Sequence, residues 1–113
     1  MKTTIGIDIP DSLVSNYLSA LVNQFFKILP IHESGEPSLK EFMRSLQIEL
    51  IGAKSIITCL QNDSMYLSLI AILQYLIEND IRVPDDTPMV KREVFKAISI
   101  CKKLNRKYCD EGV

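Results

Sequence analysis

At 113 residues, with 47% apolar and 24% charged side chains, the chain has the size and make-up of one globular domain, able to bury roughly two thirds of its unfolded surface. Disordered, collagen-like and disulfide-scaffold classes are disfavoured by that balance. The formal net charge of −1 hides an asymmetry: residues 1–86 hold 11 acidic and 6 basic side chains, whereas residues 91–107 hold seven basic and one acidic.

Residues 3–9 alternate Thr and Ile with small or polar partners, the period of a half-buried strand and the only strand candidate in the chain. Pro10 suits the first turn of a helix, where a missing N–H costs nothing, and Asp8 or Asp11 is placed to serve the open amides. The first helix is expected over 11–29, ended by Pro30. Its apolar residues cover more than half the circumference, leaving a narrow strip of Ser12, Ser15, Asn16, Ser19, Asn23 and Lys27. A solvated face usually carries more charge than that.

A turn-rich connection from Ile31 to Pro37 follows. Ser38-Leu39-Lys40-Glu41 then has the form of a capping box, in which Ser38 accepts from an open amide and Glu41 reaches back. The second helix is expected over 39–61, because Leu39, Met43, Leu46, Leu50, Ala53, Ile57 and Leu60 alternate spacings of four and three. Such a seam favours neighbours crossing at about 20°. Gly52 interrupts this helix and is read as permitting a close helix crossing. Ile48, Ile51 and Cys59 are apolar on the side away from the seam.

Asn62-Asp63-Ser64 supplies a break and a cap for a third helix over 64–79, apolar nearly all round and therefore expected to be covered on most sides. Its most apolar stretch, Met65 to Ile77, is too short for a membrane span, which needs about 20 residues. Residues 81–86 connect it to a fourth helix over 88–109, whose start repeats a cap-then-proline signal at Thr87-Pro88. Val90, Val94, Ala97, Ile98, Cys101, Leu104 and Tyr108 share one face of that helix. Together these elements describe an all-α fold, a four-helix bundle of up-down-up-down antiparallel topology with a short extended N-terminal segment, in which helices 2 and 3 look like the interior pair.

Cys59, Cys101 and Cys109 form an odd set without a C-x-x-C pair, which suits a reducing compartment. The N-terminal residues lack the pattern of a secretory signal, so a cytoplasmic location is expected. His32, the single histidine, has Glu33 and Glu36 nearby, a poor set for a transition metal, and Glu-x-x-His pairs are missing. The cysteines match no nucleophile signature, and the four glycines are isolated, so no phosphate-cradling loop is indicated. Glu49 flanks the seam of helix 2; a raised carboxylate there could serve as a general acid, but such a position commonly holds a glutamate that snorkels or pairs with a lysine, and no second catalytic group accompanies it. No catalytic residue, cofactor or metal is assigned.

Two surface features remain. Lys91, Arg92, Lys96, Lys102, Lys103, Arg106 and Lys107 fall on one side of helix 4, opposite its apolar stripe, and form a candidate surface for an anionic partner. Cations near a helix C-terminus are also favourable in themselves, and no aromatic side chain is read as interleaving with them, as stacking on bases requires. The second feature is the uncharged strip of helix 1 (Asn16, Ser19, Asn23) together with Ile48 and Ile51, more hydrophobic surface than a monomer readily buries. It is a candidate protein-partner surface.

Residues 1 to about 50 loosely resemble ribbon-helix-helix DNA-binding proteins, through Ile5-Gly6-Ile7-Asp8-Ile9-Pro10-Asp11-Ser12-Leu13 and then Gly35-Glu36-Pro37-Ser38-Leu39-Lys40-Glu41-Phe42. The resemblance implies a strand whose outward side chains enter the major groove. Here that set is Lys2, Thr4, Gly6 and Asp8, one cation and one repelling carboxylate, and helix 1 and its following connection are longer than the family pattern. The function expected from the sequence is therefore a non-enzymatic protein–protein interaction module, homo-oligomeric or bound to a protein partner. The alternative is a nucleic-acid-binding regulator using the basic face of helix 4 or an N-terminal ribbon. No membrane association is expected.

Overall fold

Four helices follow from the apolar periodicities, and in a computed structural model of the chain they run α1 Asp11–Glu33, α2 Leu39–Ile56, α3 Ser64–Glu78 and α4 Thr87–Cys109, with a single 3-10 turn Thr58–Leu60 after α2. The structure describes residues 3–35, 37–79 and 85–109, without the side chain of Cys109. Lys2, Glu36 and the connection through Ile81, Arg82, Val83 and Pro84 lie outside the described residues.

The helices pack in a ring, α1 on α2, α2 on α3, α3 on α4 and α4 back on α1, with the α1–α4 contact the most extensive. Neighbours are antiparallel: His32 at the end of α1 meets Thr87 at the start of α4, and Asp63 before α3 meets Tyr108 near the end of α4. The result is the expected all-α four-helix bundle, 45 × 29 × 20 Å. Its core is one cluster drawn from all four helices, with Leu18, Phe25, Leu50, Tyr66, Leu73, Val94 and Leu104 fully enclosed.

Several local expectations change. Pro10 is the residue before α1, with φ −59° and ψ 139°, rather than part of its first turn. Pro30 does not end α1: the helix runs on to Glu33 and closes at Gly35, whose φ of +70° places the chain in the left-handed region that glycine adopts without strain. The proline is exposed and costs the helix one hydrogen bond, the N–H that Phe26 O would otherwise receive, close to the helix end. His32 thereby moves from a loop into the last turn of α1.

Ser38 has helical dihedrals, φ −77° and ψ −4°, and makes no side-chain capping bond; its carbonyl instead accepts from Phe42 N at 2.9 Å. The heptad seam of α2 also stops early. The β-branched run Ile56-Ile57-Thr58 is a poor helix former, and Ile57 is extended at φ −93°, ψ 111°. Leu60 nevertheless stays in the core, carried there by the 3-10 turn.

The extended N-terminal segment is not a strand of a sheet. It makes an isolated antiparallel bridge from Thr3 to Ile57 and folds over the end of α2. Thr4 N donates to Ile56 O at 2.7 Å and Thr4 Oγ1 to Ser55 O at 3.0 Å, satisfying carbonyls that the end of α2 leaves open. Gly6, at φ +82°, turns the segment. Thr3 is buried and Ile9 packs against the core, but Ile5 and Ile7, which the alternation places on the same inward side, are exposed.

Helices 2 and 3 are not an interior pair. In the ring each helix has one solvated face, and α3 leaves Leu67, Ala71 and Tyr75 exposed on its own.

Candidate functional site

Four polar contacts tie the helices at their ends and middle. Burial would raise the pKa of Asp63, but hydrogen bonds from Tyr108 OH, Lys107 Nζ (2.9 Å) and Tyr66 N (3.0 Å) outweigh it and hold the carboxyl below its usual range. Tyr66, fully buried, donates to Leu50 O at 2.6 Å, and its oxygen lies 3.4 Å from Tyr17 OH. Because the Tyr66 proton is already given to Leu50, Tyr17 is the donor in that contact. His32 Nε2 is 2.9 Å from Thr87 Oγ1. Gln47 donates to Gln74 Oε1 at 2.9 Å across the α2–α3 groove. All four are accounted for as packing, and Glu49 is exposed rather than set among them.

The groove between α2 and α3, about 520 Å³, is lined by Lys40, Arg44, Gln47, Ile48, Gln74, Ile77 and Glu78. A smaller one, about 300 Å³, lies between α3 and α4 beside Tyr75 and Glu93. Both are open and mixed in polarity. Among the described residues no three of His, Cys, Asp and Glu are placed to hold a metal ion, and no helix is long and apolar enough to cross a membrane.

The surface features expected from the sequence separate onto different sides. Asn16, Ser19 and Asn23 are exposed on α1, whereas Ile48 and Ile51 are exposed on α2 beside the α2–α3 groove, so the five do not form one surface. Ile48 is 70% exposed, and it continues along α2 into Ser45, Gly52, Ser55 and Ile56, all exposed. A Cβ built on Gly52 meets nothing within 4 Å, so no close crossing within this chain explains the glycine.

On α4, Lys91, Arg92, Lys96, Lys102, Lys103, Arg106 and Lys107 are all exposed, as their spacing implies. Two are engaged: Lys107 with Asp63, and Arg92, whose Nε lies 3.6 Å from Glu93. The reading of the stripe as free of aromatics is corrected. Phe95 lies within it, 49% exposed, and meets Phe26 of α1, 43% exposed, edge to face with centroids 5.9 Å apart. The signal was present in the sequence, because at 100° per residue position 95 falls between positions 102 and 106. The partner Phe26 needed the α1–α4 packing to be seen.

No protein-family profile, curated protein or solved structure matches the chain.

Proposed function

We propose that this chain is a non-enzymatic helical interaction module that pairs with a second copy of itself through the outer face of α2. One observation carries the reading: Ile48, Ile51 and Ile56 are exposed around Gly52, a mid-helix glycine where an added Cβ meets none of the described residues within 4 Å. Glycine at such a position costs about 1 kcal/mol relative to alanine, and a helix of a second copy crossing there gives that cost a return in close contact. A two-fold interface sets the same patch against itself, and the run Ser45, Ile48, Gly52 and Ser55 at its centre is uncharged. The reduced, buried thiol of Cys101 supports a reducing, cytoplasmic setting.

Sedimentation equilibrium over a range of concentrations tests the proposal. The parent is expected to approach twice the 12.8 kDa chain mass, and Ile48→Arg to remain a monomer with unchanged helicity. A parent that stays monomeric throughout would overturn it.

A further inference from the structure

The α1–α4 packing sets two features side by side that lie some eighty residues apart in the chain. On its solvent side α1 presents Ser12, Asn16, Ser19, Asn23 and Lys27. The adjacent solvent side of α4 presents Lys91, Arg92, Lys102, Lys103 and Arg106, spread over about 22 Å at 1.5 Å per residue, while Lys96 lies with Glu93 toward α3. Between Asp11 and Glu33 on α1 there is no carboxylate, and on α4 the only one is Glu93, which lies toward α3 in the α3–α4 groove. The combined face therefore carries cations and neutral hydrogen-bonding groups, with Glu93 only at its α3 edge, where it meets Arg92. At its middle, on the seam between the two helices, the Phe26–Phe95 pair breaks the polar surface with exposed aromatic edges.

Each component has a counterpart in one kind of ligand. Regularly spaced cations neutralise a phosphate backbone, hydroxyl and amide side chains donate to phosphate and sugar oxygens, and an aromatic step offers an unpaired base a surface to lie on. A duplex keeps its bases stacked away from such a step, and an anionic membrane presents no bases. We infer that the outward face shared by α1 and α4 binds single-stranded nucleic acid, with the α4 cations following the phosphates and the Phe26–Phe95 pair supporting a base. The inference goes beyond self-association and does not depend on it, because α2 and α3 occupy the other side of the ring and a pairing through α2 leaves this face open.

The test is fluorescence anisotropy of a labelled oligothymidylate with the full chain, beside a duplex of equal length and phosphatidylserine vesicles. Engagement of all five cations is expected to give a slope of log affinity against log salt of about −3.5, or roughly a 130-fold loss for a four-fold rise in salt. Lys102→Ala with Lys103→Ala should make that slope shallower by about 1.4. Phe95→Leu should weaken single-strand binding at least about five-fold while leaving the slope unchanged. Lys40→Ala with Arg44→Ala, which removes equal charge from the α2–α3 groove, should leave affinity near the parent value. All these positions are exposed, and circular dichroism of each variant verifies that the helices persist. Absence of binding at low salt, tighter binding of the duplex or the vesicles than of the single strand, or an equal loss from the α2 variant would each overturn the inference.

Discussion

The carboxylate of Asp63 receives the Lys107 ammonium at 2.9 Å, joining the first turn of α3 to the last turn of α4. The same carboxylate caps α3 through Tyr66 N and accepts from Tyr108 OH, with its side chain only 1% exposed. Asp63→Ala removes a helix cap and strands a buried hydroxyl and amide, so a loss of about 2 to 4 kcal/mol is expected in urea unfolding. Asp63→Asn keeps the shape and loses the charge, and should fall between the two.

The same residue sets an acid limb. Its folded-state pKa is lower than its unfolded value, so its stabilising contribution is complete above the ordinary carboxylate range near pH 4 and is lost as pH falls through the depressed folded value. Unfolding free energy measured from pH 6 downward should decline below about pH 4 in the parent. In Asp63→Asn the decline should be shallower, and equal slopes in the two proteins would contradict this assignment.

Much of this architecture was legible in the sequence. Helices α3 and α4, the cap at Asp63 and the antiparallel ring followed from periodicity, since each buried stripe has the right length and spacing. What misled were local signals judged without their surroundings. Pro30 reads as a terminator, but it is exposed and α1 continues past it to Glu33. Ser38-x-x-Glu41 reads as a capping box, but Ser38 takes helical rather than extended dihedrals and its side chain makes no capping bond. The all-round apolar α3 reads as central, yet in a ring of four every helix keeps one face outside. On the surface, spacing was enough to collect the cations of α4, whereas Phe26 and the neutral strip of α1 joined them only through tertiary packing.

Tyr17 and Tyr66 carry the alkaline counterpart. Burial pushes the Tyr17 phenol up to about 12, and burial likewise raises Tyr66, whose proton is committed to Leu50 O. Both pKa values are raised on folding, so their contribution is complete below about pH 10, the unfolded value, and is lost as pH rises through the folded values. Spectrophotometric titration should show these two phenols ionising late, together with unfolding. Tyr66→Phe removes part of the late amplitude and leaves the Leu50 carbonyl without its donor, at an expected cost of about 1 to 2 kcal/mol.

His32 and Thr87 close the opposite end of the α1–α4 pair. Thr87→Val preserves shape while withdrawing the hydroxyl from a histidine that is 2% exposed. The unpaired ring nitrogen is expected to cost about 1 to 2 kcal/mol. Because the contact anchors the turn that continues past Pro30, hydrogen exchange should accelerate first at the amides of Ser34 and Gly35, which close α1 onto Pro30 O and His32 O. Uniform acceleration over the whole of α1 would mean that the contact is not what holds that turn.

Gly52 separates the folding of one chain from the pairing of two. In the single chain an added Cβ meets nothing within 4 Å and the backbone is helical, so Gly52→Ala should stabilise the monomer by about 0.5 to 1 kcal/mol through the unfolded state's reduced freedom. If a second α2 crosses at this point, the same methyl group holds the helices apart and weakens association. The two effects have opposite sign and are read separately, one by urea unfolding of the Ile48→Arg monomer with and without Gly52→Ala, the other by sedimentation of the single Gly52→Ala variant. A variant more stable as a monomer but less able to pair is the outcome that the proposed α2 interface requires. Gly52→Ala that stabilises the fold and leaves the association constant unchanged would move the interface away from the glycine.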